Sequence, residues 1–136
     1  MRADRSLFGD GPYPDTGPLV AISRLAFLGA FGTIVVMMFV LRDAPDFVHS
    51  HYLQHFAAFY VATLCALAAL PRARIRSLVT GVAVFATGLE AVHLFFGPPA
   101  WGLVDNWVAD LGGVTAAVVP VVVDRFRRRF PRPPRI

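Results

Sequence analysis

The sequence predicts an all-α fold, a polytopic membrane four-helix bundle with both termini in the cytoplasm. Of the 136 residues, 56% are hydrophobic and only 16% are charged, whereas about a quarter of a soluble domain is charged. The apolar residues fall into four runs, each close to the roughly 20 residues with which a helix crosses about 30 Å of hydrocarbon. The arginines gather on one side of these runs, which predicts the orientation of the helices.

The four predicted helices occupy one domain between two polar tails. Residues 1–18 are rich in Gly, Pro and Asp, and we interpret them as a polar N-terminal tail, because the first apolar run starts too late for a signal peptide. Residues 19–123 form the membrane domain, and residues 124–136 form a basic, proline-rich C-terminal tail. Unpaired backbone groups are excluded from lipid, so each run is predicted to be helical. The predicted spans are residues 19–41, 51–70, 75–96 and 103–123, and their short connectors make successive helices antiparallel neighbours.

The orientation follows from the basic residues, all of which are arginine. Only Arg42 falls on the outer side of four crossings, so the positive-inside rule predicts cytoplasmic termini and a multi-pass protein of the inner (plasma) membrane. A pI near 10 suggests nucleic acid, but the chain lacks a soluble basic face, so no nucleic-acid partner is expected. Membrane lipids are expected partners of the C-terminal arginines. The inner-side arginines are Arg2, Arg5, Arg24, Arg72, Arg74, Arg76, Arg125, Arg127, Arg128, Arg129, Arg132 and Arg135.

The polar and ionisable residues gather near the outward ends of the second, third and fourth helices. A charged group within the membrane costs at least about 2.5–3.5 kcal/mol on insertion scales, so it is retained mainly where it has a partner or water. Grouping at one membrane depth therefore predicts that these side chains meet. They are His51, His55, Glu90, His93, Asp105, Asn106 and Asp110, with Asp43, Asp46 and His49 in the outer connector.

Helical spacing predicts which of these side chains face the bundle interior. His55 continues a stripe of small residues along the second helix, and Asp110 lies on a comparable stripe with Gly113 on the fourth. Glu90 and His93 are neighbours on one face of the third helix. We therefore predict an outward polar pocket lined by His55, Glu90 and Asp110, with His93 and Asp105 nearer its mouth. The candidate ligand-binding residues are His55, Glu90, His93, Asp105, Asn106 and Asp110.

The same residues fit other kinds of site. His51 and His55 have metal-binding spacing and could hold a zinc-like ion together with Glu90 or Asp110, but we favour a hydrogen-bonded histidine pair and expect neither a metal nor a cofactor. Glu90 with His55 suits either general acid–base chemistry or a structural hydrogen bond; nucleophile motifs are lacking, and whether the protein is an enzyme stays open. Four short helices with no visible inverted repeat argue against a transporter working alone. We expect Cys65 to be a packing residue, and Trp101 and Trp107 to belong to an interfacial aromatic belt.

Three segments resemble the motifs of VanZ-like membrane proteins. HYLQHFAAFY resembles the second-helix motif, with His55 and Phe59 matching, and GLEAVHLFFG resembles the third-helix Glu-x-x-Gln segment, with Glu90 matching. DNWVADLGGVTAA resembles the fourth-helix pattern, with Gly113 matching and Asn106 and Asp110 carrying its polar types in exchanged order. The family's Asp-Lys pair is replaced by HY in the first segment, and its arginine between helices three and four is absent from PPAWGLV.

The resemblance covers residues 19–123 and implies a cell-envelope protein, since the family is linked to glycopeptide (teicoplanin) resistance. We accordingly expect the outward pocket to bind a polar or lipid-linked ligand. The alternative is a non-catalytic accessory subunit that packs on a larger membrane protein complex, in which case other membrane subunits are its partners. The small residues Gly29 and Gly32 of the first helix would then provide the docking face.

Overall fold

The computed structural model describes residues 17–39, 50–96 and 103–130. Within these ranges the chain forms four α-helices and no strand, which confirms the all-α four-helix prediction. Each helix is long and apolar enough to cross a membrane, and together they indicate a multi-pass membrane protein. The helices are α1 Pro18–Phe39, α2 His51–Ala69, α3 Ile75–Phe96 and α4 Leu103–Arg128.

Local interactions set the helix ends. Ser50 caps α2, and its hydroxyl accepts a hydrogen bond from the Leu53 amide at 3.4 Å. At the other end, α2 stops before Pro71, which cannot continue the helix. α4 runs past the last apolar residues to Arg128, whose Nε donates to Asp124 Oδ2 at 2.8 Å. The exposed i,i+4 ion pair supports the last turn of α4, beyond the apolar part of the helix.

Four hydroxyl groups inside the apolar helices are satisfied within their own helix. Each donates to the carbonyl one turn earlier, which reduces the cost of placing it in hydrocarbon. The hydroxyls are those of Ser23, Thr63, Thr87 and Thr115, with donor–acceptor distances of 2.6–2.8 Å.

The centre of the bundle is the contact between α2 and α4, which pack on each other more extensively than any other pair, whereas the contact between α2 and α3 is the smallest of the four backbone-level helix contacts. This differs from the expectation that short connectors make successive helices the main neighbours. The reason is the small buried stripe on each helix, represented by Ala62 and Ala66 on α2 and by Gly113 and Ala117 on α4. Small residues let two helices approach closely.

Gly113 is the point of closest approach between these two helices. A Cβ atom built at this position would collide with the carbonyl oxygen of Phe56 and lie 2.8 Å from the Tyr60 amide nitrogen. The obstacle is backbone, which cannot rotate away as a side chain can. Glycine at this position therefore lets the α4 backbone contact the α2 backbone between Phe56 and Tyr60, immediately after His55.

α1 lies at the edge of the bundle and packs on α2. Of its residues only Val20 is buried, while Phe27, Phe31 and Ile34 pack partly against the core. The Phe31 ring lies 4.9 Å from that of Phe85 on α3. The rest of α1 exposes large apolar side chains, as expected for a helix whose outer face contacts lipid tails.

A tryptophan on α4 ties that helix to α3. Trp107 Nε1 donates to Thr87 Oγ1 at 3.0 Å. Trp107 is 37% exposed, which suits the predicted interfacial position, whereas Trp101 lies outside the described residues. The bond adds a register constraint between α3 and α4 that the aromatic-belt interpretation did not include.

Removing this bond is expected to weaken the α3–α4 contact modestly. Trp107→Phe and Thr87→Ala should each destabilise the protein, and a double-mutant cycle by thermal melting in detergent should give a coupling of about 0.5–1.5 kcal/mol. Thr115→Ala, which removes a hydroxyl bonded only within its own helix, is the matched control and should show no coupling to Trp107→Phe. Strictly additive effects of the first pair would contradict the bond.

Candidate functional site

His55, Glu90 and Asp110 meet at one end of the bundle. Each comes from a different helix: His55 lies near the start of α2, Glu90 near the end of α3, and Asp110 near the start of α4. At 1.5 Å of rise per residue, the three positions lie about 6–11 Å inside their helix ends. Because α2 and α4 begin where α3 ends, the three side chains reach a common depth, as the sequence predicted.

The geometry of the three side chains is compact. His55 Nδ1 lies at the hydrogen-bond distance of 2.9 Å from Asp110 Oδ1 and 4.0 Å from Glu90 Oε1. One nitrogen or oxygen from each residue falls within 4.8 Å of the others. Asp110 is 1% exposed and Glu90 8% exposed, whereas the His55 side chain is 23% exposed. The carboxyl groups are therefore interior, and the imidazole lies between them and the surface.

Unpaired polar atoms belong to the trio and to residues one turn away from it. In the described part of the chain, four buried side-chain atoms lack a hydrogen-bond partner, and all four belong to predicted site residues. An unsatisfied buried polar atom costs about 1–3 kcal/mol, so these four call for a partner such as water, an ion or a ligand. Three of them are oxygens that accept hydrogen bonds. The atoms are Glu90 Oε2, His93 Nε2, Asn106 Oδ1 and Asp110 Oδ2.

The remaining predicted site residues differ in position. Asn106 is 7% exposed and lies one turn before Asp110, on the same inner face of α4. His93 is half-buried one turn beyond Glu90, whereas Asp105 is exposed and outside the compact trio. His51 is also exposed, with its ring 4.8 Å from that of His55 in an edge arrangement. Asp43, Asp46 and His49 lie outside the described residues.

One contributor to the site was not identified from the sequence. The Trp107–Thr87 hydrogen bond sets the register that brings Glu90 beside Asp110, whereas Gly113, which lets the α4 backbone approach α2 at the level of the site, was already part of the predicted small stripe. A sequence signal for the Trp107–Thr87 contact exists, because Thr87 and Trp107 each precede an acidic site residue by three positions. Residues three apart share a helix face, so both were candidates for the same interface.

An imidazole beside two buried carboxyl groups supports a limited set of chemistries. It can exchange a proton, hold a cation, or accept hydrogen bonds from a bound ligand. Every unpaired oxygen in the cluster is an acceptor, which favours a partner that carries positive charge or donates hydrogen bonds. No family model, curated protein or solved structure matches the chain. The VanZ-like resemblance therefore stays a prediction, and the function is argued from this geometry.

Proposed function

We propose that this chain is a VanZ-like inner-membrane protein whose outward-facing pocket binds a polar or lipid-linked ligand at the cell envelope. The observation that carries the proposal is the group of unpaired, buried acceptor oxygens beside His55. Such atoms are costly unless a partner satisfies them. The proposed binding residues are His55, Glu90, His93, Asp105, Asn106 and Asp110, with Asp105 at the exposed mouth.

The acceptors define the chemistry of the ligand. Oxygens of Glu90, Asn106 and Asp110 call for a group that donates hydrogen bonds, such as a hydroxyl or an amine. A phosphate would face two carboxyl groups and be repelled, so the neutral or cationic part of a headgroup is the part that enters. The trio lies about 6–11 Å inside the ends of its helices, close to the membrane surface that those ends would occupy in a bilayer. A lipid-linked ligand can therefore reach the pocket while its chains stay in hydrocarbon.

The distribution of charge supports the outward orientation of the pocket. The trio, with its two carboxyl groups, lies at one end of the bundle, and the α2–α3 turn with Arg72 and Arg74 lies at the other. The end of α4 carries Arg125, Arg127 and Arg128 at that same opposite end. Arginines accumulate on the cytoplasmic side of inner-membrane proteins. This argues that both termini are cytoplasmic and that the pocket opens away from the cytoplasm.

Two lipids that differ only in their hydrogen-bond donors test the ligand chemistry. Dioctanoyl phosphatidylethanolamine and dioctanoyl phosphatidylcholine have the same charges, but only the first has N–H donors. In detergent with EDTA, the ethanolamine lipid should raise the melting temperature of the purified chain more than the choline lipid does. A ligand at 100 times its Kd stabilises by about 2.7 kcal/mol. A glucosyl diacylglycerol, compared with the unglycosylated diacylglycerol, tests hydroxyl donors in the same way.

The matched variant is Glu90→Gln with Asp110→Asn, which keeps the side-chain shapes and removes the negative charges. It should lose the preference for donor-bearing lipids, because charge-assisted hydrogen bonds are about twice as strong as neutral ones. The exposed Asp124→Asn is the control and should retain the preference. Equal effects of donor-bearing and donor-free lipids on the wild-type chain would contradict the proposal, as would an unchanged preference in the double variant.

The accessory-subunit alternative rests on a different surface. Alanine-sized side chains at Gly29 and Gly32 would contact nothing within 4 Å, so the small face of α1 is open to a neighbouring helix. Purification from native membranes in a mild detergent separates the two functions. A stable assembly with larger membrane proteins that Gly29→Leu and Gly32→Leu disrupt would favour the subunit. A chain that migrates alone would favour the ligand-binding protein.

A further inference from the structure

We propose that His55, Glu90 and Asp110 form a binding site for one divalent transition-metal ion of the zinc class. This inference rests on the pocket of the proposed function and assigns a cation to it. The ion would take His55 Nδ1 and one carboxylate oxygen each from Glu90 and Asp110; one ligand atom from each of the three residues lies within 4.8 Å of the others. The second carboxylate oxygens, which are unpaired, would remain available to an incoming ligand.

The donor set fits this class of metal. One imidazole and two carboxylates are borderline ligands, which suit zinc and its neighbours better than Mg²⁺ or Ca²⁺, whose sites consist of oxygen donors. Three protein ligands leave a fourth tetrahedral position open, as in catalytic zinc sites. Asn106, one turn before Asp110, and His93, one turn beyond Glu90, each have an unpaired buried side-chain atom, which could pair with a water or ligand group bound to the ion.

The distances require only a local adjustment. Zinc ligands at about 2.0–2.2 Å from the ion stand roughly 3.3–3.6 Å apart in a tetrahedron. His55 Nδ1 is 2.9 Å from Asp110 Oδ1 and 4.0 Å from Glu90 Oε1, so one separation has to open slightly and the other has to close slightly. With the metal on Nδ1, His55 carries its proton on Nε2. The flexible Glu90 side chain can supply most of the movement.

Electrostatics favours a cation at this position. Asp110 and Glu90, which are 1% and 8% exposed, lie beside each other and share the His55 imidazole as a neighbour. Within a low-dielectric interior, like charges repel strongly, and a bound divalent ion is the largest available opposite charge. The ion would also connect α2 with α3, the pair of touching helices that packs least. Metal binding should therefore stabilise the bundle as well as fill the site.

This assignment differs from the histidine-pair pattern of the sequence. His51 and His55 have i,i+4 spacing, but His51 is exposed and is not a member of the compact trio. The ligands come instead from three helices, which no spacing within one helix reveals. The sequence predicted that His55, Glu90 and Asp110 share a pocket but favoured no metal there; the structure adds that one ligand atom from each residue lies within 4.8 Å of the others.

The test uses the full chain, purified in detergent without a polyhistidine tag and stripped with EDTA. Isothermal titration with Zn²⁺ should show one ion per chain, and Mg²⁺ should bind at least tenfold more weakly. His55→Gln and Asp110→Asn should each weaken Zn²⁺ binding at least tenfold. His51→Ala is the matched control, because it removes a neighbouring exposed histidine, and it should bind like the wild type. X-ray absorption of the zinc-loaded chain should show nitrogen and oxygen ligands only, including one imidazole.

Three results would overturn the metal site. They are no stoichiometric Zn²⁺ binding to the wild type, equal loss of binding in His51→Ala, and an absorption spectrum with two or more imidazoles. Melting temperatures of the metal-free variants show whether each one is folded, and the absorption measurement needs no variant. The lipid experiment runs in EDTA, so its outcome is independent. A lipid preference without zinc binding would contradict only the metal site. Zinc binding without a lipid preference would contradict only the proposed lipid-linked or polar ligand.

Discussion

Gly113→Ala is expected to destabilise the bundle by about 1–3 kcal/mol or more, the range for adding atoms to a packed interior. The added Cβ would meet the Phe56 carbonyl oxygen and the Tyr60 amide nitrogen, which are backbone atoms of α2. Relief requires α4 to move away from α2, and these helices form the most extensive contact in the bundle. The shift would also lengthen the His55–Asp110 hydrogen bond of 2.9 Å. Thermal melting in detergent and the yield of monodisperse protein measure the effect.

Two other glycines provide matched controls for this substitution. At Gly112 a Cβ would lie 3.4 Å from the Phe56 ring, an ordinary contact with a side chain, and at Gly88 it would meet nothing within 4 Å. Gly112→Ala should therefore cost little, and Gly88→Ala should be neutral or stabilising by up to about 1 kcal/mol, because alanine favours the helix. If Gly113→Ala melts like Gly88→Ala, the close approach of α2 and α4 is wrong.

The second large effect is expected on function. The proposed envelope function predicts that the wild-type chain complements an envelope defect, such as glycopeptide sensitivity, in cells that lack it, and that Glu90→Gln combined with Asp110→Asn abolishes this complementation. Because both substitutions keep the side-chain shapes, the protein should accumulate in the membrane at close to the wild-type level. The expected loss follows from the role of the two buried carboxyl groups as the charged acceptors of the pocket. Drug sensitivity and membrane levels are measured in the same cells.

The comparison of sensitivity with membrane level separates a binding site from a structural one. Loss of complementation at a normal level supports the site, whereas loss that only follows a reduced level makes the two carboxyl groups structural. Asp124→Asn is the matched control, because Asp124 is exposed and pairs with Arg128 at the opposite end of the bundle. A double variant that complements as well as this control would contradict the proposed function.

Much of the fold was predictable because the membrane simplifies the problem. Runs of apolar residues must form helices there, and the small stripe of α2 predicted an inward face that Ala62 and Ala69 confirm by their burial. The partner of α2 was not predictable from connector length. Connectors restrict which helices are near each other, but the closest approach depends on side-chain size at the contact, and Gly113 makes α4 the closer partner.

The convergence at the centre of the site was predictable from the sequence, whereas the contact between Trp107 and Thr87 was not. His55, Glu90 and Asp110 converge as expected, since each lies near the same end of its helix. Asp105 is exposed while its neighbour Asn106 is buried, because adjacent helical residues point about 100° apart and only Asn106 shares the face of Asp110. The Trp107–Thr87 hydrogen bond required the register of α3 against α4, which sequence spacing within either helix does not determine.

The contact between His55 and Asp110 is the centre of the site, and solid-state NMR in lipid bilayers measures it most directly. The chain is labelled with ¹⁵N-histidine and 4-¹³C-aspartate. It should show a dipolar coupling between an imidazole Nδ1 and a carboxyl carbon, of the strength expected when Nδ1 lies 2.9 Å from an oxygen of that carboxyl group. Asp110→Asn should remove that coupling, and Asp124→Asn should leave it. A wild-type spectrum without the coupling, or one in which Asp110→Asn leaves it intact, would contradict the meeting of α2 and α4 at a shared polar site.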